Sequence, residues 1–152
     1  MKNNNYNQLF FMLTLSFIIM YAVMFLNVSQ LNHIYVSTTR FYMALLMTLP
    51  MGILMLLFMS KMYGNKKLNS IIILICIIGF GITLTFLRKQ TFIEDKQYMK
   101  AMISHHSSAI LTSEHAQIKD KELRKLADEI IEGQKKEITQ MKEILDRMDK
   151  EN

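Results

Sequence analysis

The chain has 152 residues, 51% of them hydrophobic, with a mean hydropathy of +0.16 and a formal net charge of +5. All 13 acidic residues fall between Glu94 and Glu151, and 13 of the 18 Lys and Arg lie from Arg88 onward, so the excess charge belongs to the apolar half. Basic residues that flank apolar runs, rather than cluster on one polar surface, exclude nucleic acid as the first partner. The single cysteine, Cys76, excludes a disulfide framework and any CxxC metal or redox site.

In chain order, three stretches are long enough to cross a bilayer, which takes about 20 mostly apolar residues. They are 9–28, 41–59 and 71–87, and none holds a side chain ionised at neutral pH. The first is too long for a signal-peptide core and lacks a small-x-small cleavage site, so it reads as an uncleaved span. Pro50 and Gly52 predict a kink midway along the second. Gly79 and Gly81 offer the third a weak close-packing face. With the N-terminus inside, Lys2, Lys61, Lys66 and Lys67 stand against Arg40, Arg88, Lys89 and Lys96. The positive-inside count is therefore tied. Three spans put the N-terminus and the tail on opposite sides in either case.

The tail predicts two helices of about 28 residues each, forming a hairpin. Thr91 with Glu94 three residues later fits a capping box, and Asp120 is a natural N-cap for the second helix. This divides the chain into a membrane domain, 1–88, and a helical domain, 89–152. At helical periodicity the first tail helix presents Asp95, Met99, Met102, His106, Ala109, Ser113 and Ala116 along one seam. The second presents Ala127, Ile131, Gln134, Ile138, Met141, Leu145 and Met148. Folding at Lys119–Lys121 sets His106 level with Ile131 and Gln134, and Met99 and Met102 level with Ile138 and Met141. Glu137 lies at the seam's edge.

The first seam is poor core, because it buries little apolar area. Thioethers, an imidazole and an amide or carboxylate converging between helices instead suit a soft metal, and thioether with imidazole suits Cu(I). Imidazole with carboxylate suits Cu(II) or zinc. The plain alternative is methionine as adaptable core filler and His106 as a hydrogen-bonded core histidine. The adjacent pair His105-His106 after Met99 and Met102 raises the metal reading to equal weight. His115 falls on nearly the opposite face and is left out of the site.

The run from Tyr98 to Ile110, with Met102-Ile103-Ser104-His105-His106-Ser107-Ser108-Ala109-Ile110, resembles a bacterial family known as domain of unknown function 305. The run from Arg124 to Lys142 continues the likeness, with Ala127, Ile130-Ile131, Gln134, Glu137-Ile138 and Met141 in the family's spacing. The resemblance implies a helical, ferritin-like, exported domain linked to copper binding. It also implies that Met102, His105, His106, Gln134, Glu137 and Met141 are the recurrent polar and thioether positions. Two family prolines are replaced, by Ser104 and Lys121, and one helical pair is present where members often carry two. The Glu-x-x-His pairs of di-iron bundles are missing, which disfavours a ferroxidase.

These features predict an all-α protein: three transmembrane helices, then a two-helix hairpin that is half of a ferritin-like four-helix bundle, completed by dimerisation. The expected metal set is His105, His106, Met99, Met102, Gln134, Glu137 and Met141, with a copper ion as ligand. The expected function is copper sequestration or homeostasis without covalent catalysis, since no nucleophile–base pair or phosphate loop appears. The expected partners are the lipid bilayer and a second copy of the chain. The expected location is a bacterial cytoplasmic membrane with the tail outside, where thiols do not outcompete thioether and imidazole. One rival is a copper channel: Met43, Met47, Met51, Met55 and Met59 recur every fourth residue in the second span, a pattern similar to eukaryotic copper transporters. The other is a membrane-anchored oligomerisation module without ligand.

Overall fold

The computed structural model describes residues 2–151; Met1 and Asn152, the outer ends of the two predicted domains, lie outside it. The protein is all-α, with five α-helices, one 3-10 turn and no strand among the described residues. Contacts divide the chain into two compact units: Met1–Val23 with Thr39–Phe92, and Met24–Thr38 with Ile93–Asn152. The second unit is discontinuous, since it takes in the connector that follows the first helix.

The first unit holds α1 (Lys2–Val23), α2 (Thr38–Phe58) and α3 (Lys66–Lys89). Each contains a stretch long and apolar enough to cross a membrane. A helix is what such a sequence must form in lipid, because it satisfies every backbone polar group within the segment. α2 is the most enclosed of the three, with a third of its span buried, against 6% for residues 5–23 of α1. Gly52 permits close approach: a Cβ there would stand 3.2 Å from Leu13 on α1 and 3.5 Å from Cys76 on α3. Gly79 meets Leu49 of α2 in the same way, while Gly81 faces open space. α2 runs on through Pro50 as one helix. The Asn65 side chain caps α3 by accepting from the Leu68 amide at 3.1 Å.

Two boundaries differ from the sequence reading. The first span stops at Val23, and residues 24–28 turn away into the second unit, where Asn27 and Ser29 find polar partners. The expected Thr91–Glu94 capping box does not form. Gln90 closes α3 at φ 53°, Phe92 follows at φ 60°, and the Thr91 carbonyl accepts from the Tyr42 hydroxyl. Those left-handed turns place the N-cap of the next helix at Glu94, without a side-chain cap.

The second unit is built on the antiparallel pair α4 (Asp95–His115) and α5 (Lys121–Lys150). Asp120 caps α5, accepting from the Leu123 amide at 2.7 Å, as the sequence predicts. The core comprises Met99, Ile103 and Ile110 of α4 with Ile138 and Leu145 of α5, and Tyr35 of the connector packs on it. Ile103 and Ile110 lie off the predicted seam, so α4 buries more apolar area than that seam contains. Ser104 and Ser107 are also fully buried. They face the connector, whose 3-10 turn, Leu31–His33, rests against α4.

The register of the hairpin is shifted from the predicted one. Between His106 and the end of α4 lie nine residues, whereas Glu137, its partner, lies sixteen beyond the start of α5. At 1.5 Å per residue α5 overhangs α4 by about 10 Å. The cause is the connection 116–120, which leaves α4 and enters α5 in extended conformation at Ala116 and Asp120 rather than reversing at once. The overhang leaves Leu123 and Leu126 half exposed.

Candidate metal site and its neighbourhood

His106 is 8% exposed, and its Nε2 lies 2.6 Å from Glu137 Oε2. In the neutral ring, Nε2 donating to the Glu137 carboxylate leaves Nδ1 a lone-pair acceptor. That Nδ1 is buried and has no hydrogen-bond partner. Gln134 Oε1, one turn before Glu137 on α5, is also buried and unpartnered. Thr39 Oγ1, Tyr63 Oη and Arg124 Nε are the other buried side-chain atoms without a partner among the described residues, and of the five, His106 Nδ1 alone belongs to an imidazole whose second nitrogen is held by a carboxylate. A carboxylate that fixes one imidazole nitrogen while the other faces a ligand is the arrangement of a metal-binding histidine.

The other predicted residues divide around this pair. Met102, one turn before His106, and Met141, one turn after Glu137, are half buried and stand at the same end of it on antiparallel helices. Met141 packs against the core. His105 is exposed; its ring stands 6.1 Å from that of His106, edge to face. Met99 is buried in the core about two turns, or roughly 10 Å, from His106. It shares that core with Ile138 and Met141, and lines a surface cleft with Ile144 and Met148. Among the described residues no three His, Cys, Asp or Glu side chains gather at one point. A site here therefore draws on thioether and amide donors beside one imidazole and one carboxylate. His115 is exposed, with Nδ1 2.9 Å from the Leu111 carbonyl of its own helix.

On another face of α4 lies a polar cluster that sequence reasoning missed. His33 is 6% exposed, with Nδ1 2.9 Å from Ser107 Oγ. Ser107 Oγ also accepts from the Ser29 amide at 2.8 Å and meets the Ser29 hydroxyl at 3.0 Å. Ser104 donates to the His33 carbonyl at 2.8 Å, and Asn27 donates to Ser108 at 2.7 Å. Ser104, which stands where the resembled family has proline, therefore ties the connector to α4. Burial, and secondarily the charge of Lys142, hold His33 below the usual histidine pKa. The available signal was a lone histidine in the polar stretch between two apolar spans, with Ser104 and Ser107 one turn apart.

The fold and site define a helical protein with three membrane-length helices and a two-helix domain of polar and thioether side chains. Residues 84–152 match the family model described as Domain of unknown function (DUF305), and the chain belongs to that family. It is similar over nearly its whole length to the Uncharacterized protein L153 of Acanthamoeba polyphaga mimivirus: 35% identity over 151 residues, 97% of each chain. The likeness thus extends through the three apolar helices as well as the hairpin. No solved structure matches the chain.

Proposed function

We propose that the protein is a membrane-anchored copper-binding protein that sequesters or hands on the ion, without covalent catalysis. The observation that carries this reading is the orphaned Nδ1 of His106, buried beside a Glu137 that fixes the ring's other nitrogen. Met102 and Met141, both half buried, lie one helical turn from His106 and Glu137 respectively, and thioether with imidazole favours Cu(I) over zinc. Met99 and His105 are then outer residues: one supports the core, the other is free to enter from the surface.

Topology supports the same picture. If each of the three apolar helices crosses once, the connector Met24–Thr38 and the tail emerge on the same side, as their shared unit requires. We assign that side to the exterior of the cytoplasmic membrane of a bacterial cell, where thiols do not compete for the ion. A second copy of the chain, covering the exposed Leu123, Leu126 and Ile130, completes a four-helix, ferritin-like bundle. The channel reading draws less support: Met43, Met47 and Met59 face outward, and Met51 and Met55 are only half buried.

The test is a Cu(I) titration of the full chain in detergent against a chromophoric competitor. The parent binds Cu(I) more tightly than zinc, and His106→Ala with Met102→Ala weakens Cu(I) at least about a hundredfold, as loss of ligands and their orientation does. His115→Ala leaves the affinity unchanged. Equal affinity in the double variant and the parent sinks the proposal.

A further inference from the structure

A separate cavity of about 220 Å³ opens where the connector meets α4 and α5. Ile110 and Ile138 form its apolar part, and its polar part is Gln30, His33, Lys135, Thr139 and Lys142, with Ser29. No carboxylate lines it. Lys142 has no ion-pair partner among the described residues, and Lys135 is engaged only by the exposed Glu114, at 3.0 Å. Such an exposed pair is weak and yields readily to a better anion. Thr139 already donates to the Lys135 carbonyl, so the free donors are the two ammonium groups, the Gln30 amide and His33.

The buried network sets the role of His33. Ser107, fully buried, accepts the Ser29 amide, and its hydroxyl lies 2.9 Å from His33 Nδ1 and 3.0 Å from the Ser29 hydroxyl, which holds the ring in place. In the tautomer whose Nδ1 accepts from Ser107, Nε2 carries the proton and is a donor. Two ammonium groups, this imidazole and one amide, with no carboxylate among the lining residues, suit an anion that accepts several hydrogen bonds at once. The volume lies below the roughly 300–1,000 Å³ of sites for drug-sized molecules, so the ligand is small. His33 also lies five residues before α2, a membrane-length helix.

We propose that this cavity binds a phosphate group, either as inorganic phosphate or as the headgroup phosphate of an anionic lipid. Lys142 and Lys135 supply the charge, and His33 and Gln30 fix orientation. The site is distinct from the His106–Glu137 pair and does not depend on copper.

Histidine-labelled full chain in a phosphate-free maltoside detergent tests this by NMR. The two probes are sodium phosphate and soluble short-chain phosphatidic acid, each compared with sodium chloride at equal ionic strength. The expected result is saturable movement of the His33 ring signals with at least one probe. Lys135→Gln with Lys142→Gln, both on the surface of α5, then weakens that binding about tenfold or more, the usual scale for charge-assisted hydrogen bonds. Tighter binding of inorganic phosphate identifies the free anion, and tighter binding of the lipid identifies the headgroup. Neither probe moving His33 beyond chloride, or the double variant binding as the parent does, overturns the proposal.

Discussion

Two faces of one helix, α4, carry histidine-centred polar clusters that differ in how completely they are satisfied. Towards the connector, Ser104 and Ser107 are fully buried and both hydroxyls are bonded, through His33 and Ser29. Towards α5, His106 has one nitrogen held by a largely exposed Glu137, while its other nitrogen and the Gln134 oxygen are left open. A closed buried network contributes to stability, because losing any member strands the rest. An open one costs stability. The difference makes the first face an anchor and agrees with the proposal that the second takes the metal.

The largest effect expected from breaking this contrast is on the anchored face. Ser107→Ala removes the acceptor of the Ser29 amide and the partner of buried His33 Nδ1, and should destabilise the chain by about 2–3 kcal/mol. Thermal unfolding in detergent checks it. On the open face, Glu137→Gln should cost less than about 1 kcal/mol, since the Glu137 side chain is more than half exposed and solvent screens it. The same variant should weaken Cu(I) binding about tenfold or more, because it loosens the ring that presents Nδ1. Comparable stability losses in the two variants would erase the distinction.

A smaller effect concerns pH. Burial, then Lys142, hold the His33 pKa below its ordinary 6.5. The unfolded chain therefore binds a proton that the folded chain resists, and stability falls as pH drops from 6.5 towards the lowered folded value. Above 6.5 the contribution is flat. His33→Gln should remove this acid-side slope, read as unfolding midpoints between pH 7 and pH 5.

How much of this was visible in the sequence depends on the range of the interaction. The apolar runs, the hairpin and the Asp120 cap follow from local pattern, and the structure has all of them. Glu137 was placed at the seam's edge by periodicity, but its pairing with His106 follows from the 10 Å overhang of α5. An extended connection sets that overhang, and helical periodicity does not report it. His33 was beyond reach for the same kind of reason. Its partners, Ser104 and Ser107, are more than 70 residues away in sequence, and their burial depends on a connector that has no periodicity of its own. Ile103 and Ile110 were missed because a four-three seam is narrower than the face α4 buries beneath both α5 and the connector.

Under the proposed function the α5-facing side of α4 takes the ion and the connector-facing side does not. Histidine-selective NMR of the full chain, titrated with Cu(I) under reducing conditions, separates the four imidazoles in one experiment. His106 signals should shift and saturate with the metal while His33 stays in place. Saturable copper binding that moves His33 and leaves His106 unchanged would contradict it.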